Sequence, residues 1–169
     1  TTADVSFLQG MIVHHEQALF MSELASERTN AQSIVDLAGR IEASQEDEIN
    51  FMEGWLAERD ESAAMDMDHG MSGSDHKMNM HVNMAGMATP QQLAKLEKSK
   101  GTDFDKLFLN LMINHHDGAV KMVAELRKQT GSAYDPVLNE FVSDLVNDQG
   151  VEIERMNGLL INLSDDPRA

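Results

Sequence analysis

Residues of one face recur along the chain in steps of three and four. Phe7, Met11, His14, Ala18, Met21 and Ala25 form one row. Ile34, Ala38, Ile41, Gln45, Glu48, Met52 and Trp55 form a second. A third runs through Phe108, Met112, His115, Ala119, Met122 and Leu126, and a fourth through Leu138, Val142, Leu145, Gln149, Glu152, Met156 and Leu159. Such steps put side chains on one face of an α-helix, so each row predicts an amphipathic helix with a buried stripe. The spacing predicts helices over about 4–28, 31–60, 103–129 and 135–163. Turn residues cluster between them at Arg28-Thr29-Asn30 and Thr130-Gly131-Ser132. Thr89-Pro90 has the form of an N-cap followed by proline at the first helical position, opening a short helix to about Lys98.

The rows repeat. Phe7-Leu-Gln-Gly-Met-Ile-Val-His-His-Glu-Gln-Ala aligns with Phe108-Leu-Asn-Leu-Met-Ile-Asn-His-His-Asp-Gly-Ala, and Gln45-x-x-Glu48-Ile49-x-x-Met52 aligns with Gln149-x-x-Glu152-Ile153-x-x-Met156. Each copy reads as two helices. The expected fold is therefore all-α: a four-helix bundle of two related hairpins in a single domain spanning 1–169. The hairpins occupy 4–60 and 103–163, and a crossover with the short helix occupies 61–102.

Polar groups interrupt the apolar stripes at matching places. His14, His15, Gln45 and Glu48 do so in the first copy, and His115, His116, Gln149 and Glu152 in the second. With turns near 29–30 and 131–132, antiparallel pairing sets residue 14 level with about 45, Met11 with about 48, and 115 with about 149. Adjacent histidines point about 100° apart on a helix, so one of each pair is expected to face inward more directly. Met11 and His15, like Met112 and His116, are four residues apart on one face and suited to hold one ion together. Met52 and Met156 lie one turn beyond Glu48 and Glu152. The alternative is a satisfied hydrogen-bond network that fixes helix register. Met21 and Met122 are expected to fill the core.

Composition sharpens the chemistry. The chain has 13 methionines and no cysteine. Seven fall in one stretch of the crossover: Met65, Met67, Met71, Met78, Met80, Met84 and Met87, interleaved with His69, His76 and His81. That stretch is rich in Gly, Ser and Asp and has no core to build. Thioethers beside imidazoles suit Cu(I) and Ag(I), while imidazoles with carboxylates also accept Cu(II). A net charge of −16 argues against nucleic acid as a partner and is compatible with attracting cations. No apolar run approaches a membrane span, so insertion is not expected.

The doubled Met-Ile-x-His-His motif, each followed by Gln-x-x-Glu-Ile-x-x-Met, resembles the domain-of-unknown-function family 305 from Asp4 to about Leu160. The resemblance implies a ferritin-like bundle and, for some members, export, copper binding and copper resistance. Its motif residues fall on Met11, His14, His15, Gln45, Glu48 and Met52, and on Met112, His115, His116, Gln149, Glu152 and Met156. The expectation is a copper-binding protein, not an enzyme, acting in sequestration, tolerance or transfer. A copper exporter or another copper protein is the expected partner. The chain opens Thr1-Thr2-Ala3, as expected for an exported protein after signal-peptide removal. The alternatives are a ferritin-like di-iron redox enzyme and a metal-free binding module. The first normally uses Glu-x-x-His pairs, and none occurs here.

Overall fold

The computed structural model describes residues 1–64 and 84–165. Every regular element among them is α-helix: α1 (Thr2–Glu23), α2 (Ala25–Arg28), α3 (Gln32–Ala57), α4 (Pro90–Lys98), α5 (Gly101–Arg127) and α6 (Pro136–Asp165). None is long and apolar enough to cross a membrane. The helix expected over 4–28 is divided at Leu24, whose N–H reaches back three residues to the Met21 carbonyl, a tighter turn than the α-helical one. The second helix stops at Ala57 rather than near 60, because the chain turns through Asp60, whose φ is 56°.

α1 packs along α3, α5 along α6, and the two hairpins join through α1 and α5. α1 therefore buries residues around most of its circumference, from Phe7 and Leu8 to Gly10, Gln17 and Met21. On the other side Phe51 of α3 stacks on Phe141 of α6, with ring centroids 4.1 Å apart. The short helix α4 carries a complete capping box. Gln92 N donates to Thr89 Oγ1 at 3.1 Å, and Thr89 N donates to Gln92 Oε1 at 2.8 Å. Leu93 and Leu96 of α4 are buried in the core. Thr89→Ala should cost about 1 kcal/mol of stability by the usual worth of an N-cap, read from urea denaturation.

The apolar core has two parts. One holds Ala18, Met21, Ile34, Leu37, Ile41, Phe104, Phe108, Met112 and Met156. The other holds Phe7, Leu8, Met11, Met52, Trp55, Leu56, Val123, Leu126, Leu138, Val142 and Leu145. Burying each large apolar side chain contributes about 1.5–3 kcal/mol. Between the two parts in sequence, on every long helix, stand the polar residues of the stripes: His14 and His15, Gln45 and Glu48, His115 and His116, Gln149 and Glu152.

Candidate metal centre

All four helical histidines are buried, not one of each pair. Adjacent positions diverge, but α1 and α5 have neighbours on both sides. His15 Nε2 pairs with Glu48 Oε2 across the first hairpin, and His116 Nε2 with Glu152 Oε2 across the second. His14 and His115 turn toward the opposite hairpin and stack on each other, centroids 3.7 Å apart and planes at 30°. Ser44 Oγ donates to Glu152 Oε1 at 3.3 Å, linking α3 to α6. The paired residues are one turn displaced from the level positions expected from the turns. Side chains on a helix lean toward its own N-terminus. In an antiparallel hairpin the histidine and glutamate therefore lean toward one another, and each bridges part of a turn.

Burial dominates the electrostatics. It pushes the His14 and His15 imidazoles down to about 3, and nearby imidazoles, His116 among them, push the same way. His115 is held well below its ordinary value by burial and then by the other three rings. Glu48 is pushed up to about 8, first by burial and then by the carboxylates of Glu152 and Asp148. At neutral pH the His15–Glu48 contact is thus a hydrogen bond between an imidazole and a carboxyl group rather than an ion pair.

The donors left over are soft. Met11, Met52, Met112 and Met156 are fully buried, one pair in each part of the core. His14 Nδ1, His116 Nδ1, Gln45 Oε1 and Gln149 Nε2 are buried with no hydrogen-bond partner among the described residues. An unpartnered buried polar atom costs about 1–3 kcal/mol, which a bound ligand would relieve. Among the described residues no three His, Asp or Glu side chains are grouped to hold one ion. Imidazole nitrogen with thioether sulfur one helical turn away, as at Met11 and His15 or Met112 and His116, is a donor set that fits Cu(I) or Ag(I) better than a hard cation.

The end of the crossover lies over this layer. His14 Nε2 donates to the Ala85 carbonyl at 2.9 Å. Gln17 Nε2 donates to the Ala88 carbonyl at 3.0 Å, and Ala88 N donates to Gln17 Oε1 at 2.8 Å. A Cβ on Gly118 would run into the Ala85 carbonyl and stand 2.7 Å from Gly86 Cα. Gly86 takes φ +77° and has no room for a side chain against α5. The Met84 sulfur would lie 3.4 Å from a Cβ on Gly10. The other end of the crossover is held next door, where Gln9 Nε2 donates to the Ser62 carbonyl at 2.8 Å.

Of the crossover candidates, Met84 and Met87 are half-buried on this segment. Met65, Met67, His69, Met71, His76, Met78, Met80 and His81 lie outside the described residues. Met21 is fully buried and Met122 packs partly buried against the core. Nothing in the helical rows marks Ser44, Gln17, Gly118 or Ala85. Gln17 and Gly118 occupy equivalent positions in the two copies, so their mismatch was the available signal.

A family model described as Domain of unknown function (DUF305) matches residues 4–160. No curated protein matches the sequence. Among solved structures, a DUF305 protein from Streptomyces coelicolor is 29% identical with a TM-score of 0.80, over 96% of this chain and 92% of that one. A DUF305 fragment from Deinococcus radiodurans is also 29% identical, with a TM-score of 0.77, over 96% and 97% of the two chains. CopM in its Cu(II)-bound form is 28% identical with a TM-score of 0.72, over 94% of this chain and 96% of that one. CopM is also seen in Cu(I)-bound and Ag-bound forms.

Proposed function

Because this chain belongs to the DUF305 family, and because buried thioethers flank its layer of buried imidazoles along the helices, we propose that it is a copper-binding protein that takes Cu(I), with Ag(I) as surrogate and Cu(II) at imidazoles. The observation that carries this is the buried layer itself. Two His–Glu pairs and a stacked pair of imidazoles have unpartnered nitrogens, and four buried methionines flank them in sequence. The copper-bound and silver-bound forms of CopM support the same chemistry. The Met/His-rich residues from Met65 to Met87 add a second, more exchangeable set of ligands. Thioethers are neutral and weak donors, so ions held there are suited to handover.

The role is sequestration or transfer rather than catalysis, with a copper exporter or another copper protein as recipient. The place is outside the cytoplasm, where thioethers outlast thiols. The absence of cysteine and a Streptomyces coelicolor relative described as secreted support that location.

Titration of metal-free protein with Cu(I), Ag(I), Cu(II), Zn(II) and Fe(II), followed by native mass spectrometry, tests this. Cu(I) and Ag(I) are expected to bind more tightly than micromolar, and Zn(II) and Fe(II) more weakly. Deleting residues 65–83 should lower the number of bound ions. His15→Ala with His116→Ala should lower it further. No copper or silver uptake better than micromolar would overturn the proposal. A preference for Fe(II) would favour a di-iron enzyme instead.

A further inference from the structure

Residues 84–88 sit in a purpose-shaped seat. The two hairpins match closely in sequence over their histidine motifs, yet they differ where this segment lies. Gly10 faces Leu111 in the alignment, and Gln17 faces Gly118. Gln17 clamps Ala88 through both its amide atoms. Gly118 lets the Ala85 carbonyl and Gly86 come against α5, and Gly10 leaves space beside the Met84 sulfur. The departures from the repeat thus coincide with the contacts that hold one short piece of chain over His14.

The seat has a chemical effect on His14. A carbonyl oxygen only accepts, so the bond to Ala85 requires the hydrogen of His14 to be on Nε2. In the neutral ring that leaves the lone pair on Nδ1. Nδ1 is buried and has no hydrogen-bond partner among the described residues. Metal-binding histidines generally donate their second ring nitrogen to a carbonyl or carboxylate, which sets the tautomer and raises ligand basicity. His15 and His116 already commit Nε2 to glutamates.

We propose that residues 84–88 lock His14 in its Nε2–H tautomer and thereby present Nδ1 as a ligand for a soft monovalent cation, with Gln17 and Gly118 as positioning residues. The proposal rests on the copper-binding function above and names one ligand atom and the groups that orient it.

The test uses full-length, ¹⁵N-labelled protein. Long-range ¹H–¹⁵N spectra of the metal-free form should show His14 as a single Nε2–H tautomer. Adding Ag(I) should shift His14 Nδ1 and leave its Nε2–H in place. Gly118→Ala pushes a methyl into the Ala85 carbonyl, and Gln17→Ala removes the Ala88 clamp without adding volume. Each should mix the His14 tautomers and weaken the silver dependence of Nδ1 by about 10–100-fold, the usual effect of losing a ligand's outer partner. Circular dichroism identifies a variant that fails to fold, and Gln17→Ala carries the test if Gly118→Ala does. An Nδ1–H tautomer in the metal-free protein overturns the proposal. So does silver uptake that leaves His14 Nδ1 unmoved, or folded variants with parental tautomer and affinity, and in those cases copper binding stands. No silver uptake anywhere overturns the copper function together with this assignment.

Discussion

Metal-free protein carrying His15→Ala is expected to lose about 3–5 kcal/mol of unfolding free energy, from the void left by a buried ring together with a buried carboxyl left without its partner. The substitution deletes a fully buried ring and leaves a void. It also strands the Glu48 carboxyl, whose side chain is only 11% exposed. A domain typically has about 5–15 kcal/mol in total, so the variant would be marginal. Glu48→Ala should be costly for the same reason. The double variant should cost less than the sum of the singles, by about 1–3 kcal/mol, because the second change removes a group the first has already stranded. Urea denaturation of the four proteins closes the cycle. Strict additivity would mean that the two side chains do not depend on each other. The His116–Glu152 cycle should give a similar coupling across the second hairpin.

Stability of the metal-free protein should peak near neutral pH and fall steeply in mild acid. In the unfolded chain His14, His15 and His115 take up protons near pH 6.5. In the folded protein His14 and His15 stay neutral to about 3, and His115 is held well below its ordinary value. The unfolded state therefore binds more protons below pH 6.5, and stability declines as pH falls through that range. Each such group contributes a slope of about 1.4 kcal/mol per pH unit. Glu48 acts in the opposite sense. Its carboxyl keeps a proton to about 8 when folded, against 4.5 when not, so its contribution is fully present below 4.5 and fades as pH rises toward 8. Three histidines against Glu48 leave an acid slope of about 3 kcal/mol per pH unit just below 6.5, which the raised Asp105 and Asp148 carboxyls lessen at lower pH, and a gentler alkaline decline of about 1 kcal/mol per unit. Melting temperatures in chelating buffers between about pH 4 and 9 would show this asymmetric dome. A flat profile from about pH 5 to 7 would mean that the histidines are not buried neutral in solution.

The helices were readable because burial imposes a period, and four stripes kept it over about five or six turns. The break at Leu24 was not readable, since a local tightening leaves the apolar pattern intact. Pairing across each hairpin was nearly readable. Turn positions set which residues lie level, but the lean of side chains toward their own N-terminus moved the His15–Glu48 contact by one turn. The burial of both adjacent histidines followed from something no single helix reveals, namely that α1 is sandwiched between α3 and α5. The seat for residues 84–88 was hidden for a different reason. Gln17 and Gly118 look ordinary in their own helices, and only the comparison of the two copies singles them out.

The two ends of the Met/His-rich segment are held by consecutive residues of α1: Gln9 binds Ser62, and Gly10 receives Met84. Ser62 and Met84, on either side of that segment, thus stand side by side, about one turn from His14. Any chain of roughly 20 residues tied at both ends to one place reaches no farther than about 30–35 Å from it. On the proposed copper function, an ion carried by residues 65–83 would meet the histidine layer at an effective concentration of about millimolar, set by the tether and not by the amount of protein in solution. Exchange between the two sets of ligands would be first order and indifferent to dilution.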